Sequence, residues 1–290
     1  MRFLIAGASG FIGTAVQVGL LAEGHQVRAV SRSGRAALGA DGVACDLLDG
    51  GWEQLLHGMD GVLNLVGVLR EEASAGVTYQ RVHVDLARQL AEAAVSARVP
   101  RFVQLSSLGA AARGPSRYFA SKRRAEAAVQ AVYPHAVVVR SSMVFGPGAA
   151  FLEGLGRVAR LPVVPVPGDG HTPFDPVARD DLAALLAGVL AEGGRDDDAV
   201  AGQVLSVGGP RRLTLDDLID WAARTVGRVG AVPKLHLPLA LVDRVAAVGD
   251  VWGGVAMNRA QVELVTTPSV TDDRRWYRWV PHPLPAGGDV

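Results

Sequence analysis

The sequence predicts an α/β protein, a doubly wound parallel sheet with a smaller C-terminal lobe. Three observations carry this. Short apolar runs alternate with longer helical patterns across the first half of the 290 residues. The run "GVLNLVGV" at 61–68 is apolar throughout, as expected of a strand covered on both faces. The opening "RFLIAGASGFIGTAV" passes from strand to helix through Gly7, Gly10 and Gly13. This β-α-β-α rhythm implies parallel strands joined by right-handed crossovers.

In chain order, 2–7 reads as a strand, 11–24 as a helix, and 25–32 as a second strand. A third, short strand lies within 42–49 and the fourth is 61–68. A strong helical pattern covers 79–99, followed by a strand at 101–107, a helix at 116–132 and a strand at 135–142. The texture changes after Gly146. Residues 161–177 are rich in Pro and Gly and read as loop with short extended pieces. Helix returns at 178–194, with Asp180 as the expected N-cap, then a buried strand at 202–209. Thr214 is the expected cap of a helix over 214–227. From about 230 onward six prolines break the chain into short helices and loops. The expected division is a sheet domain at 1–145 with 175–208 returning to it, and a smaller lobe at 146–174 and 209–290.

Hydrophobic residues make up 49% and charged residues 20%, the range of an ordinary globular protein. Lys+Arg and Asp+Glu are equal at 29 each, so charge gives no case for nucleic acid as the main partner. The single Cys45 excludes an internal disulfide framework and a Cys-rich metal site. His57, His171 and His236 have no ligand spacing, so no metal is expected. The start has no signal-peptide pattern and no stretch reaches membrane-spanning length. The expected compartment is the cytoplasm. Weak contact with a membrane surface stays open, as does the oligomeric state.

The glycines point to chemistry. Gly7 permits a sharp turn, Gly10 lets a pyrophosphate approach the backbone, and Gly13 lets the helix pack on the strand. The helix N-terminus, with Ser9, Phe11 and Ile12 around it, offers N–H groups and a positive dipole end to phosphates. At the end of the second strand, where a carboxylate would bind a ribose 2′-hydroxyl, the chain reads Ser31-Arg32-Ser33-Gly34-Arg35. Arg32 suits a 2′-phosphate, so NADP(H) is favoured over NAD(H). Asp46, followed by Leu47, reads either as an acceptor for the adenine amino group or as a helix cap. Val66 and Gly67, at the end of the fourth strand, are further expected cofactor contacts.

Tyr118 and Lys122 stand at i and i+4 on the helix 116–132, hence on one face. A phenol is a poor base at neutral pH, and a neighbouring ammonium is expected to lower its pKa. The strand before this helix ends in Leu105-Ser106-Ser107, and strand C-termini are where open α/β sheets place ligands.

These residues together resemble a short-chain dehydrogenase/reductase of the extended or atypical kind, the NAD(P)-dependent epimerase/dehydratase type. The matching set is Gly7 to Gly13, Asp46-Leu47, Leu105-Ser106-Ser107 and Tyr118-x-x-x-Lys122. "RSSMVFGPG" at 140–148 is similar to the family's nicotinamide segment and adds Ser141, Met143 and Val144 as expected contacts. The texture is most similar to the branch containing the NADPH-binding accessory subunit of respiratory complex I. The resemblance implies a Rossmann-type sheet, the sheet domain as a dinucleotide-binding domain, and the smaller C-terminal lobe as a substrate lobe. It also implies Ser107, Tyr118 and Lys122 as the catalytic set, with Ser106 as the alternative serine and Lys122 also holding the ribose. His83 stands where the family often has Asn, and is expected to pack or to hold water. Two functions follow. One is an NADP(H)-dependent oxidoreductase or epimerase-like enzyme with a small-molecule substrate. The other is a non-catalytic NADPH-binding structural or assembly factor linked to quinone or respiratory machinery.

Trp221, Trp252, Trp276 and Trp279 are assigned to packing of the C-terminal lobe. The run 235–254 has an amphipathic pattern that suits packing on its own domain.

Overall fold

The strands that build the main sheet are β1 (Arg2–Ala6), β2 (Gln26–Ser31), β3 (Asp41–Ala44), β4 (Gly61–Asn64), β5 (Phe102–Ser107), β6 (Val137–Ser141) and β11 (Val204–Val207). They lie in the order β11-β6-β5-β4-β1-β2-β3, and every pairing is parallel. The chain winds one way from β1 to β3 and the other way from β4 to β11. The direction reverses beside β1, which has β2 on one side and β4 on the other. A doubly wound sheet opens a crevice at this switch point, outside the strands' carboxyl ends. The register brings Ala6 level with both Val30 and Asn64, so those ends share one edge. The structure, a computed structural model, describes residues 1–112, 114, 116–192, 200–244 and 259–286.

Both faces of the sheet are covered, which is why β1 has no polar alternation: Phe3, Leu4 and Ile5 are all buried. Helix α1 (Phe11–Ala22) packs on α5 (Arg179–Glu192), and α2 (Leu86–Ser96) packs on α3 (Arg117–Val132). Leu86, Leu90, Ala125 and Val129 of α2 and α3 share one core with Leu4, Val30 and Val62 of the sheet. Burying each such leucine or valine contributes roughly 1.5–3 kcal/mol.

Several boundaries differ from the sequence reading. β4 stops at Asn64, although the apolar run continues, because the Asn64 Oδ1 accepts the Val66 N–H at 3.0 Å and turns the chain out of the sheet. β3 is only Asp41–Ala44, and Asp46 then closes a turn by accepting the Leu48 N–H at 3.0 Å. The long helix expected over 79–99 begins as a π-helical stretch, Gln80–Asp85, before α2. Asp180 is not the cap of α5. It lies within the first turn, with its carboxylate on the Arg179 Nε at 2.8 Å. Ser116 does cap α3, accepting the Phe119 N–H at 3.3 Å.

The chain divides into two units. The first comprises Met1–Ser141, Arg179–Val207 and Asp273–Pro283. Trp276 and Trp279 therefore belong with the sheet, a correction to their assignment to the lobe. The reason is local: Arg275 bonds the Val204 carbonyl at 2.9 Å, and the Trp279 ring lies against Gly188, where a Cβ would meet it at 2.3 Å.

The second unit comprises Ser142–Ala178, Gly208–Asp272 and Leu284–Val290. It contains three short strand pairs: β7 (Val144–Phe145) with β10 (Val177–Ala178), β8 (Val164–Pro167) with β13 (Lys234–Leu237), and β9 (Pro173–Phe174) with β12 (Leu213–Thr214). Helices α4 (Ala150–Val158) and α6 (Leu215–Thr225) pack on each other, and α7 spans Arg259–Thr266. Thr214 caps α6 in a full capping box with Asp217, as its sequence predicts. Trp221 is buried with Phe174, Leu213 and Leu218. Trp252 and residues 245–254, the second half of the run 235–254, lie outside the described residues.

Candidate functional site

Gly7 ends β1 in the left-handed region, at φ 81°, and its N–H and that of Ala8 both reach the Val30 carbonyl at 3.0 and 3.1 Å. A Cβ on Gly13 would lie 2.6 Å from the Ala8 carbonyl oxygen and 2.7 Å from that of Gly7, so only glycine lets α1 start this close to the turn. Gly10 occupies the N-cap of α1, and no side chain caps the helix. The first-turn N–H groups, at Phe11, Ile12 and Gly13, therefore lack the usual side-chain acceptor, the arrangement a phosphate completes. Gln17, buried on α1, braces the turn: its Nε2 donates to the Ala8 carbonyl at 2.8 Å and its Oε1 accepts the Ala37 N–H at 2.8 Å. The sequence reading missed it. The available signal was a single amide on an otherwise apolar helix.

A cleft of about 520 Å³ opens over this turn. Of the expected cofactor residues it is lined by Gly7, Ser9 and Gly10, by Ser31 and Arg32, by Asp46 and Leu47, and by Val66 and Gly67. Arg32 is exposed and makes no hydrogen bond or ion pair among the described residues. Asp46 lines the cleft while holding its turn to Leu48. The cleft is also lined by Arg70, Glu72 and Val77, from the stretch 69–78 that the sequence reading left unassigned, and by Val68 and Arg81 from the expected strand and helix on either side of it. Arg81 is anchored there by the Gly76 and Leu48 carbonyls at 3.3 and 3.0 Å. Loop residues of this kind carry no periodicity, so nothing local marked them.

Of the remaining expected residues, Leu105, Ser106, Ser107, Tyr118, Lys122 and Ser141 gather at the ends of β5 and β6 and on α3. Lys122 is buried, and its Nζ donates to the Leu105 carbonyl at 3.1 Å. The same carbonyl accepts the Gln104 Nε2 at 3.0 Å, and Gln104 in turn accepts the Asn64 Nδ2 at 2.9 Å. Burial pulls the Lys122 ammonium down to about 8, against a raising effect of Glu126. Ser106 is buried and donates to the Glu126 carboxylate. Ser107 is half-buried, and its hydroxyl makes no hydrogen bond among the described residues. Ser141 donates weakly to the Ser106 carbonyl at 3.5 Å. Met143 and Val144 fall in the second unit, where the Met143 carbonyl accepts the Val177 N–H at 2.9 Å.

Tyr118 is half-buried, and its hydroxyl makes no hydrogen bond among the described residues. Its pKa is not lowered as the spacing implied. Burial, with a smaller push from Tyr79, raises it to about 12. The physical reason is that Lys122 turns to the Leu105 carbonyl rather than to the phenol. His83 is buried, stacked on Tyr79 at 5.2 Å and edge-on to Tyr118 at 5.5 Å. Among the described residues no three His, Cys, Asp or Glu side chains gather as a metal site.

A doubly wound sheet whose switch-point cleft opens on a glycine turn is the architecture of the dinucleotide-binding α/β proteins. The profile of the "NAD dependent epimerase/dehydratase family" matches residues 3–202, and the chain belongs to that family. Among curated proteins it is 29% identical over 181 residues to the "NADH dehydrogenase [ubiquinone] 1 alpha subcomplex subunit 9, mitochondrial" of Arabidopsis thaliana, covering 62% of this chain and 44% of that one. It is 35% identical over 169 residues to a "Ceramide reductase" of Caulobacter vibrioides, covering 56% of this chain and 52% of that one. The chain thus spans about half the length of the curated relatives it matches. In fold it is similar to the UDP-glucuronic acid 4-epimerase of Bacillus cereus solved with NAD. The TM-score is 0.69 at 19% identity, over 81% of this chain and 87% of that one.

Proposed function

We propose that the protein is an NADP(H)-dependent oxidoreductase or epimerase-like enzyme acting on a small molecule. One observation carries the reading: Gly67, which lines the cleft, lies so close to Lys122 that a Cβ there would sit 3.8 Å from the Nζ. That proximity supports reading the glycine-floored cleft and the Tyr118–Lys122 pair as parts of one site. When bound, the nicotinamide supplies or accepts the hydride. Tyr118 exchanges a proton with the substrate oxygen, Ser107 orients that oxygen, and Lys122 holds the ribose hydroxyls. With Ser106 held by Glu126, Ser107 is the hydroxyl left for substrate. The reductase named among the relatives supports oxidoreductase chemistry. The exposed guanidinium of Arg32 in the cleft wall supports NADP(H) over NAD(H). Tryptophan fluorescence titration with NADPH and NADH tests this. NADPH is expected to bind tighter, and Arg32→Ala to remove about tenfold or more of the preference, a charge-assisted bond contributing roughly 1.5–3 kcal/mol. Equal binding of both by the parent protein overturns the assignment.

A second reading is a non-catalytic, NADPH-binding structural or assembly factor. It is favoured by the Tyr118 phenol, held near 12, and by the relatives named as subunits of a respiratory NADH dehydrogenase. A dinucleotide bound only by the folded state adds stability without turnover. The single cysteine supports the cytoplasm as compartment. No described helix is long and apolar enough to cross a membrane.

A further inference from the structure

His83 sits in the π-helical stretch with both ring nitrogens committed. Its Nε2 accepts the Val68 N–H at 3.0 Å. Its Nδ1 meets the Ser121 Oγ at 2.7 Å, and that hydroxyl donates onward to the Tyr118 carbonyl at 2.6 Å. The proton order follows by elimination. The Ser121 hydrogen goes to Tyr118, so the Oγ can only accept from the ring, and Nδ1 carries the ring proton. Nε2 must be bare, since it faces an N–H donor. A π-helical turn adds one residue to the helix and re-aims its side chains, which puts the ring across from Val68.

The two partners belong to two parts of the site. Val68 and Gly67 line the cleft. Ser121 is fully buried on α3 between Tyr118 and Lys122 in sequence. We propose that His83 is a positioning residue, a neutral strut that sets the distance between the Gly67–Val68 edge of the cleft and the turn of α3 bearing Tyr118 and Lys122. This rests on the dinucleotide-enzyme reading above. Tyr79 keeps the ring from rotating by stacking on one face, while its hydroxyl donates to the Leu69 carbonyl at 2.8 Å, one residue past Val68. The titratable groups facing the ring are Tyr79, Tyr118 and Lys122. With both nitrogens engaged in fixed directions, His83 carries no proton to or from substrate. It acts through the backbone at Val68 and Tyr118.

The test begins with ¹⁵N spectra of the histidine rings in the cofactor-free protein. His83 is expected to show a protonated Nδ1 and a bare Nε2, unchanged from pH 8 to pH 5. His83→Phe keeps the ring's shape and removes both bonds. It is expected to raise the Kd for NADPH about tenfold and to speed amide exchange at Val68, as loss of a buried hydrogen bond and of site geometry would do. Ser121→Ala breaks only the α3 half and keeps the proposal testable if His83→Phe does not fold. Its expected signature is a Kd raised about threefold with Val68 protection kept. A proton on Nε2, or titration of the ring near its ordinary 6.5, overturns the strut. So does His83→Phe with unchanged Val68 exchange. Should the parent protein bind neither dinucleotide, the functional reading fails, while the ring spectra and the exchange rates still decide the strut.

Discussion

Glu126 and Arg140 form a two-point ion pair beneath the end of β5. The Arg140 Nε reaches the two carboxylate oxygens at 2.9 and 3.1 Å, and its Nη2 donates to one of them. The Ser106 hydroxyl donates to the same buried carboxylate. Arg140 is held above its ordinary pKa mainly by the bond to Glu126. This pair separates the two neighbouring serines, engaging Ser106 and leaving Ser107 open.

Removing the buried carboxylate leaves the half-buried Arg140 guanidinium without its ion-pair partner. Glu126→Gln is expected to lower folding stability by about 1.5–3 kcal/mol, the range for a lost hydrogen bond to a charged group. A urea titration checks it: the midpoint falls while the slope stays constant. An unchanged midpoint would mean that water already compensates Arg140.

Tyr118→Phe separates the two functional readings. For an enzyme, removing the hydroxyl lowers turnover by about 10²–10⁴-fold, the usual contribution of a positioned acid or base. The dinucleotide Kd is expected to stay within about threefold, because the phenol makes no hydrogen bond among the described residues. A binding-only protein loses nothing measurable.

Gly13→Ala places a methyl 2.6 Å from the Ala8 carbonyl. The neighbour is backbone and cannot swing away, so α1 must shift off the turn. Overpacking of this kind costs about 1–3 kcal/mol, a drop of roughly 3–10 °C in Tm. NADPH affinity should fall with it, measured by the same fluorescence titration. A variant with unchanged Tm and affinity would show that the turn tolerates a wider opening.

The pH dependence of stability follows from His83 and Lys122. Burial first, then the Lys122 charge, lowers the His83 pKa to about 3 from 6.5. Between those values the unfolded chain takes up a proton that the folded chain refuses. Stability from His83 is therefore complete above pH 6.5 and is lost as pH falls toward 3, by at most roughly 1.4 kcal/mol per pH unit. Lys122 is lowered to about 8 from 10.5, so its contribution rises from pH 8 to 10.5 by the same rule. Urea midpoints of the parent and His83→Phe, compared from pH 7 to 4, check the first window. The gap between them should narrow as the pH falls.

Much of this was legible in the residues. Gly7 and Gly13 announced a strand-to-helix turn because other residues rarely adopt that φ and a Cβ does not fit that carbonyl approach. Thr214 announced a helix start because a cap is a local bond. Other features were not. The apolar run through Leu65 to Val68 looks like more strand, yet the Asn64 side chain takes the Val66 N–H and ends it. Asp180 looks like a cap, but Arg179 holds its carboxylate inside the helix. The Tyr118–Lys122 spacing placed both side chains on one face and said nothing of the Leu105 carbonyl that receives the ammonium.

The sequence by itself determined the parallel α/β class, the glycine floor and the Ser, Tyr and Lys candidates, since each depends on periodicity or on contacts a few residues apart. The tertiary structure alone decided which serine is free, where the Lys122 ammonium points, and that His83 joins the Val68 edge of the cleft to α3. It also assigned Trp276 and Trp279 to the sheet. Those outcomes depend on buried partners far apart in the chain, Glu126 for Ser106 and Ser121 for His83. Only packing α3 and the π-helical stretch onto one face of the sheet brings them within hydrogen-bond reach.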